Sequence, residues 1–304
     1  MRILVTGATG FVGRHVIKVL QNHGYELALF VRNINGALNL KNPDTVLVKG
    51  NLGNLGTAKN SLRKFEPEVC IHLAWEGIPD YSADISKSNL DNSINFLNFI
   101  AKETDCRKII ISGSCFEYGK TKGACKESDN VQTTSFFAWA KQSIYNYASL
   151  LCEQAVIDLI WFRIFYVYGP GQRAGSLIPS IINKLSKAKC PDIMSPHNKN
   201  DFVYTEDVAK AFQIAATNKI RSGIYNLGSG ISTSVYEVCR TAELLITGET
   251  LMSEQLRNTN KKRETADFWA DTCKTKQALA WAVSTPLEEG IKNHILALTG
   301  DNYI

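Results

Sequence analysis

Three glycines near the start of the chain have the spacing of a phosphate-binding loop. The segment TGATGFVG contains Gly7, Gly10 and Gly13 and lies directly between a strand-like apolar run and a helix-like segment. Gly7 permits a tight turn, Gly10 lets the backbone approach a pyrophosphate, and Gly13 lets the helix lie close to the sheet. The N-terminus of that helix then faces the phosphates. The segment predicts dinucleotide binding through Gly7, Thr9, Gly10, Phe11, Val12 and Gly13.

The second strand-like run, ELALFV, is followed by Arg32. A carboxylate at this strand end would accept a hydrogen bond from the ribose 2′-hydroxyl of NAD, whereas an arginine can pair with the 2′-phosphate of NADP. Arg32 therefore favours NADP(H). A solvent-facing charge at a strand end is the alternative interpretation.

The first half of the chain alternates strand-like and helix-like segments, which predicts a parallel sheet covered by helices on both faces. The predicted strands are RILVTG, YELALFV, TVLVKG, VCIHLA, KIIISG and LIWFRIF. The predicted helices are 11–23, 54–65, 84–103 and 138–157.

The pattern is looser beyond residue 165, with a loop in YGPGQRAGSLIP, a strand in GIYNLGSG and helices in DVAKAFQIAAT and STSVYEVCRTAELL. We therefore predict an α/β fold with a Rossmann-type parallel sheet and a smaller mixed α/β substrate-binding lobe. The predicted cofactor domain covers 1–162 and 201–228, and the predicted smaller lobe covers 163–200 and 229–304.

The composition excludes several classes of protein. The 304 residues are 44% hydrophobic and 21% charged, which is ordinary for a globular protein with two packed lobes. The net charge of +5 is spread along the chain, so no nucleic-acid partner is predicted, and no apolar run approaches the roughly 20 residues that span a bilayer. The eight cysteines lack paired or ligand-like spacing, which indicates reduced thiols in a cytoplasm and no metal site.

The sequence resembles the extended short-chain dehydrogenase/reductase family, particularly its nucleotide-sugar epimerases, dehydratases and ketoreductases. Matching segments follow the family's order across nearly the whole chain: TGATGFVG, NL at 51–52, IHLA at 71–74, SGSCFEYG at 112–119, FFAWAK at 136–141, RIFYVYGPGQ at 163–172, DFVYTEDVA at 201–209 and YNLGSG at 225–230. The resemblance implies a nicotinamide cofactor and a nucleotide-diphosphate sugar, with the sugar nucleotide bound by the smaller lobe at 163–200 and 229–304. It also implies a homodimer in which helices 84–103 and 138–157 pack against their symmetry mates and bury Phe96, Ile144 and Leu151.

Members of this family use a serine or threonine, a tyrosine and a lysine to move a proton while the nicotinamide moves a hydride. The resemblance places Ser114 at the hydroxyl position and Lys141 at the lysine position, but Phe137 stands where the tyrosine is expected. A phenylalanine has no proton to give. Two explanations stay open: a natural member that uses another donor, with Cys115 and Tyr118 as the nearest alternatives, or a tyrosine-to-phenylalanine variant made to trap a ligand.

The resemblance also assigns the remaining residues of the two ligand sites. Beside the dinucleotide it places Asn51 and Leu52 at the adenine, Leu73 and Ala74 near the riboses, Asn89 under the nicotinamide loop, and Lys141, Ile164 and Val167 along the cleft. Beside the sugar nucleotide it places Ser114, Tyr166, Arg173, Ser176, Leu177 and Arg263. A further group that could border the sugar is Trp75, Glu76 and Tyr81.

Within the family, the residues after Ser114 favour a ketoreductase. The 4,6-dehydratases carry an Asp-Glu pair where this chain has Cys115 and Phe116, and the cysteine and histidine of GDP-fucose-synthase-type members correspond to Phe116 and Ser176. The C4 epimerases usually favour NAD, whereas Arg32 favours exchangeable NADPH. We therefore predict NADPH-dependent reduction of a nucleotide-linked 4-keto, deoxygenated sugar. The alternatives are a nucleotide-sugar C4 epimerase or dehydrogenase, and a non-catalytic NADP-binding sensor.

Overall fold

The computed structural model describes residues 1–257 and 266–299. In chain order the strands are β1 (Arg2–Thr6), β2 (Glu26–Val31), β3 (Thr45–Lys49), β4 (Val69–His72), β5 (Lys108–Ser112), β6 (Gly123–Cys125), β7 (Asp158–Ile164), β8 (Tyr166–Tyr168), β9 (Lys199–Asn200), β10 (Phe202–Tyr204), β11 (Gly223–Leu227), β12 (Thr233–Ser234) and β13 (Phe268–Ala270). The helices are α1 (Phe11–Asn22), α2 (Ala58–Phe65), α3 (Ala83–Glu103), α4 (Phe136–Ala155), α5 (Leu177–Leu185), α6 (Thr205–Thr217), α7 (Val235–Thr247), α8 (Leu251–Arg257), α9 (Cys273–Leu279) and α10 (Leu287–Thr299).

Seven strands form one parallel sheet in the order β3-β2-β1-β4-β5-β7-β11. The strand order reverses between β1 and β4, because the chain proceeds outward from β1 on one side and from β4 on the other. The loops that follow these two strands therefore meet at the carboxyl edge of the sheet, which is where ligands of doubly wound sheets bind. This arrangement confirms the predicted Rossmann-type fold.

Alternate residues of the strands pack on opposite faces of the sheet. In β1, Ile3 and Val5 belong to an apolar cluster with α1 and α6, whereas Leu4 belongs to a second cluster with α3 and α4. Both faces of the sheet are buried under helices. The strands are therefore nearly continuous apolar runs, without alternation of apolar and polar residues.

A third apolar cluster lies beyond the carboxyl edge of the sheet and forms the smaller lobe. It is built by α5, α7, α10 and β10, which contribute residues such as Ile178, Val238, Ile291 and Phe202. Helix α7 begins where the sequence predicts it, because the Ser234 hydroxyl accepts a hydrogen bond from the backbone of Glu237 in a capping box. The exact domain boundaries stay a prediction.

Several short strands and helices of the structure were not predicted from the sequence. The strands are β6, β8, β9, β10, β12 and β13. Helix α5 begins at Leu177, inside the segment predicted as a loop. Pro179 is tolerated in its first turn because the backbone N–H that proline lacks would have no intrahelical acceptor there. Helices α8, α9 and α10 were also not predicted. Within the described ranges 1–257 and 266–299, no helix is long and apolar enough to cross a membrane.

The residues predicted to form a dimer interface are interior ones. Phe96, Ile144 and Leu151 are buried where α3 and α4 pack on each other and on the sheet, so the prediction that they face outward was wrong. The outward face of α4 instead carries Trp139 and Leu150. An apolar periodicity identifies a buried helix face, but it does not tell packing within a chain from packing between chains.

Candidate active site

The glycine loop after β1 is folded so tightly that side chains would not fit. Gly7 has a φ of +71°, and its carbonyl oxygen accepts a hydrogen bond of 2.9 Å from the Gly10 backbone. A Cβ at Gly13 would overlap that same carbonyl oxygen, and a Cβ at Gly7 would lie 2.7 Å from the backbone nitrogen of Ala74. Among the described residues no side chain caps the N-terminus of α1. Its free N–H groups are therefore available to an anion such as a pyrophosphate.

One cavity of about 280 Å³ joins this loop to the predicted catalytic residues. The predicted residues that line it are Gly7, Gly10, Phe11, Val12, Gly13, Leu73, Ser114, Phe137, Lys141, Ile164 and Val167. The lining residues that the sequence analysis did not assign to the cofactor cleft are Trp75, Ile78, Ser112, Gly113 and Phe165. Three of these residues are neighbours of assigned residues at the carboxyl ends of strands, and that position could have identified them: Ser112, Gly113 and Phe165. Nothing in the sequence marks Ile78.

A second cavity of about 180 Å³ continues the groove on the other side of the glycine loop. It shares Gly7, Gly10, Leu73 and Trp75 with the first cavity. Of the residues predicted to bind the cofactor, Thr9, Arg32, Leu52 and Ala74 line the second cavity only. Glu76 also lines it. Because the two cavities share four lining residues, they form one groove that passes on both sides of the glycine loop.

Lys141 is buried at the floor of the first cavity. Its ammonium group donates a hydrogen bond of 2.7 Å to the Ser112 carbonyl oxygen and lies 4.4 Å from the centre of the Trp75 ring. Burial lowers the pKa of Lys141 to about 8, although the nearby Glu117 carboxylate acts in the opposite direction. The side chain is therefore mostly cationic at neutral pH and loses its charge as the pH rises through that value.

Ser114 is positioned by a buried ion pair beneath it. The Glu117 carboxylate accepts hydrogen bonds from the Ser114 backbone at 2.8 Å and from the Arg163 guanidinium at 2.9 Å, and the Trp161 indole donates to it at 3.1 Å. The Ser114 hydroxyl accepts from the Phe116 backbone at 3.2 Å, which leaves its own proton for a ligand. The sequence analysis missed Glu117, although the spacing of Ser114 and Glu117 is that of a capping box.

Phe137 projects from the first turn of α4 into a group of aromatic rings. Its ring centre lies 4.9 Å from that of Trp75, 5.0 Å from that of Tyr81 and 5.9 Å from that of Phe116. The side chain is only 7% exposed, and Lys141 follows it by one turn with its ammonium 5.9 Å from the ring centre. The ring is therefore held beside the lysine, as the spacing in FFAWAK predicts.

The two alternative proton donors do not face the cavity. The Tyr118 hydroxyl is buried and donates to the Asn226 amide oxygen at 2.7 Å, and burial raises the pKa of its phenol. Cys115 is 3% exposed, packs in a separate apolar cluster with Tyr118 and Phe165, and has a thiol pKa that burial raises. Residues 115–118 form a single helical turn after Ser114, and neither side chain lines the cavity that Ser114 lines.

Residues 3–228 match the sequence profile of the NAD dependent epimerase/dehydratase family. The match covers more than half of the chain. This chain belongs to that family.

Relatives in the epimerase/dehydratase family span the whole chain. The dTDP-4-dehydro-6-deoxyglucose reductase of Escherichia coli is 25% identical over 97% of both chains. The crystal structure of UDP-glucose 4-epimerase from Thermotoga maritima with UDP-glucose superimposes with a TM-score of 0.83 at 21% identity, covering 98% of this chain and 99% of the other. A second crystal structure is that of a UDP-glucuronic acid 4-epimerase from Bacillus cereus, mutated from tyrosine to phenylalanine at one position and bound to UDP-4-deoxy-4-fluoro-glucuronic acid and NAD. It superimposes with a TM-score of 0.82 at 21% identity, covering 98% of this chain and 99% of the other. These likenesses establish the fold.

Several residues assigned from the family resemblance lie away from both cavities. The Asn51 side chain is exposed and accepts a hydrogen bond from the Gly53 backbone at 2.9 Å. Arg173, Ser176 and Leu177 lie on the segment before and at the start of α5. Their predicted contacts with a sugar nucleotide stay a prediction, and Arg263 lies outside the described residues.

Two other residues that the family resemblance assigns to the ligand sites, Tyr166 and Asn89, lie next to the groove. Tyr166 contacts the Phe116 ring with a centre-to-centre distance of 6.1 Å, so it borders the aromatic group around Phe137. Asn89 is buried on α3 and bonds to the backbone of Glu76. It supports the loop after β4 and does not line either cavity. That this loop lies under a nicotinamide stays a prediction.

Proposed function

We propose that this protein is a nicotinamide-dependent oxidoreductase that acts on a nucleotide-linked sugar. The observation that carries the proposal is the single groove that joins an uncapped glycine-loop helix to Ser114 and Lys141. A lone glycine loop is compatible with many ligands, but a buried lysine and an available hydroxyl at the other end of the same groove are suited to proton transfer.

In the proposed reaction, some residues of the groove bind the cofactor and others polarise the substrate oxygen. The backbone of 7–13 would hold the pyrophosphate, and the bound nicotinamide would supply the hydride. The Ser114 hydroxyl can donate a hydrogen bond to the substrate oxygen, where negative charge develops during reduction. The Lys141 cation stabilises charge at that end of the groove and would bind the nicotinamide ribose. Phe137 supplies packing but no proton.

We further propose that the reaction is reduction of a nucleotide-linked 4-keto, deoxygenated sugar by NADPH. Arg32 lines the second cavity and offers a cation to a 2′-phosphate, and the Escherichia coli relative is a dTDP-4-dehydro-6-deoxyglucose reductase. The second candidate is a C4 epimerase, which is favoured by the 4-epimerases among both the curated relatives and the solved structures. A dehydratase is disfavoured because Cys115 and Phe116 offer neither an acid nor a base to the cavity. A homodimer and a cytoplasmic location stay predictions.

Binding experiments should separate this enzyme from a cofactor sensor. We expect calorimetric titration of the protein with dTDP- and UDP-linked sugars to show binding that is tighter with a nicotinamide dinucleotide present, because both ligands contact residues of one groove. The corresponding free sugars serve as the control and should not bind measurably. Dinucleotide binding with no response to any sugar nucleotide would instead favour the sensor.

A further inference from the structure

Arg32 has a partner of opposite charge inside the second cavity. Its guanidinium lies 3.1 Å from the Glu76 carboxylate, and both residues line that cavity together with Thr9 and Leu52. The Arg32 side chain is 65% exposed and that of Glu76 is 37% exposed, so both reach open solvent at the mouth of the groove. An exposed pair of this kind contributes little to folding stability. Its place in the cavity puts both charges where a bound ligand could contact them.

The backbone of Glu76 is fixed by a buried side chain. Asn89 is 5% exposed, and its amide oxygen accepts a hydrogen bond of 2.7 Å from the Glu76 backbone nitrogen. The Asn89 amide nitrogen donates to the carbonyl oxygens of Glu76 at 3.0 Å and Ile85 at 2.8 Å. The backbone of Glu76 is thus fixed beside the cavity. This attachment does not involve Arg32, so it does not depend on the direction of the Arg32 side chain.

We propose that Glu76 is a second determinant of cofactor specificity, which acts with Arg32 on the group at the 2′ position of the adenosine ribose. The inference rests on the proposed binding of a dinucleotide in this groove. A 2′-phosphate is attracted by the Arg32 cation but repelled by the adjacent Glu76 carboxylate. A 2′-hydroxyl can donate a hydrogen bond to that carboxylate. Arg32 therefore favours NADP and Glu76 favours NAD, and the wild-type protein has only a modest preference for NADP.

Charge-neutral variants of the two residues test this inference. Dissociation constants for NADP and NAD are measured by calorimetry for the wild type, Glu76→Gln and Arg32→Gln, with 2′,5′-ADP and 5′-AMP as fragments that isolate the 2′ group. We expect Glu76→Gln to raise the NADP-to-NAD affinity ratio about tenfold, and Arg32→Gln to lower it by a similar factor, as one unit charge at this range implies. The fragments should show the same two shifts.

Glu66→Gln is the matched control for the loss of one negative charge. Glu66 also forms an exposed pair with an arginine, 2.9 Å from Arg2, but at the opposite edge of the sheet. It should leave the ratio unchanged. An unaltered ratio in Glu76→Gln, or an equal change for both cofactors, would overturn the inference while the proposed function stands. Failure of the wild type to bind either dinucleotide would overturn both.

Discussion

Replacing Phe137 with tyrosine should raise the turnover of a nucleotide-linked 4-keto sugar by about 10²–10⁴-fold, which is the usual contribution of one positioned general acid. The existing ring is buried beside Lys141, with the ammonium 5.9 Å from the ring centre. A phenol there would have its pKa lowered by the cation and could give its proton to the substrate oxygen. Substrate affinity should change little, since the ring itself is already in place. The loss of NADPH absorbance reports turnover directly.

Phe136→Tyr is the matched control for this gain. Phe136 is the preceding residue of α4, but its ring is 57% exposed, so the same added oxygen reaches solvent. It should not change turnover. High activity in the Phe137 protein with no gain from tyrosine would contradict the assignment of the missing acid. Tyr81→Phe would then be the next variant, because the Tyr81 ring contacts the Phe137 ring at 5.0 Å.

Arg163→Met should lower the free energy of unfolding by about 3–5 kcal/mol, the typical cost of leaving one member of a buried ion pair unpaired. The side chains of Arg163 and Glu117 are 1% and 0% exposed and lie 2.9 Å apart. The loop that presents Ser114 is bonded to this carboxylate, so activity should fall as well. Urea unfolding measures the loss.

The stability lost in Arg163→Met should also depend on pH. Burial already raises the pKa of Glu117, and removing the guanidinium that opposes this effect raises it further. The native variant then holds a proton that the unfolded chain releases, so its stability recovers as the pH falls towards that raised pKa. The deficit should thus be smaller at about pH 5 than at about pH 8. Arg2→Met, which breaks an exposed pair, should cost less than about 1 kcal/mol, and an equally small loss in Arg163→Met would contradict a structural role for the buried pair.

Local patterns in the sequence were sufficient to predict the seven-stranded sheet and the glycine loop that follows its first strand. Apolar runs at strand length and the glycine loop predict both β1 and the N-terminus of α1, because neighbouring residues determine them. Phe137 and Lys141 were correctly placed on one face since a helix brings residues four apart together. Local patterns do not predict contacts between residues that are distant in the sequence. Glu76 is separated from Arg32 by more than forty residues, and only the folded sheet brings the two charges together.

The central claim is that a hydride passes between a nicotinamide and a sugar nucleotide in the groove containing Ser114 and Lys141. The most direct measurement follows deuterium from the transferable C4 position of labelled NADPH, using the Phe137→Tyr protein and nucleotide-linked 4-keto sugars. We predict a reduced sugar nucleotide with one deuterium at its C4 carbon and an equal amount of NADP. Deuterium that stays on the nicotinamide, with the sugar nucleotide bound but unchanged, would contradict the claim.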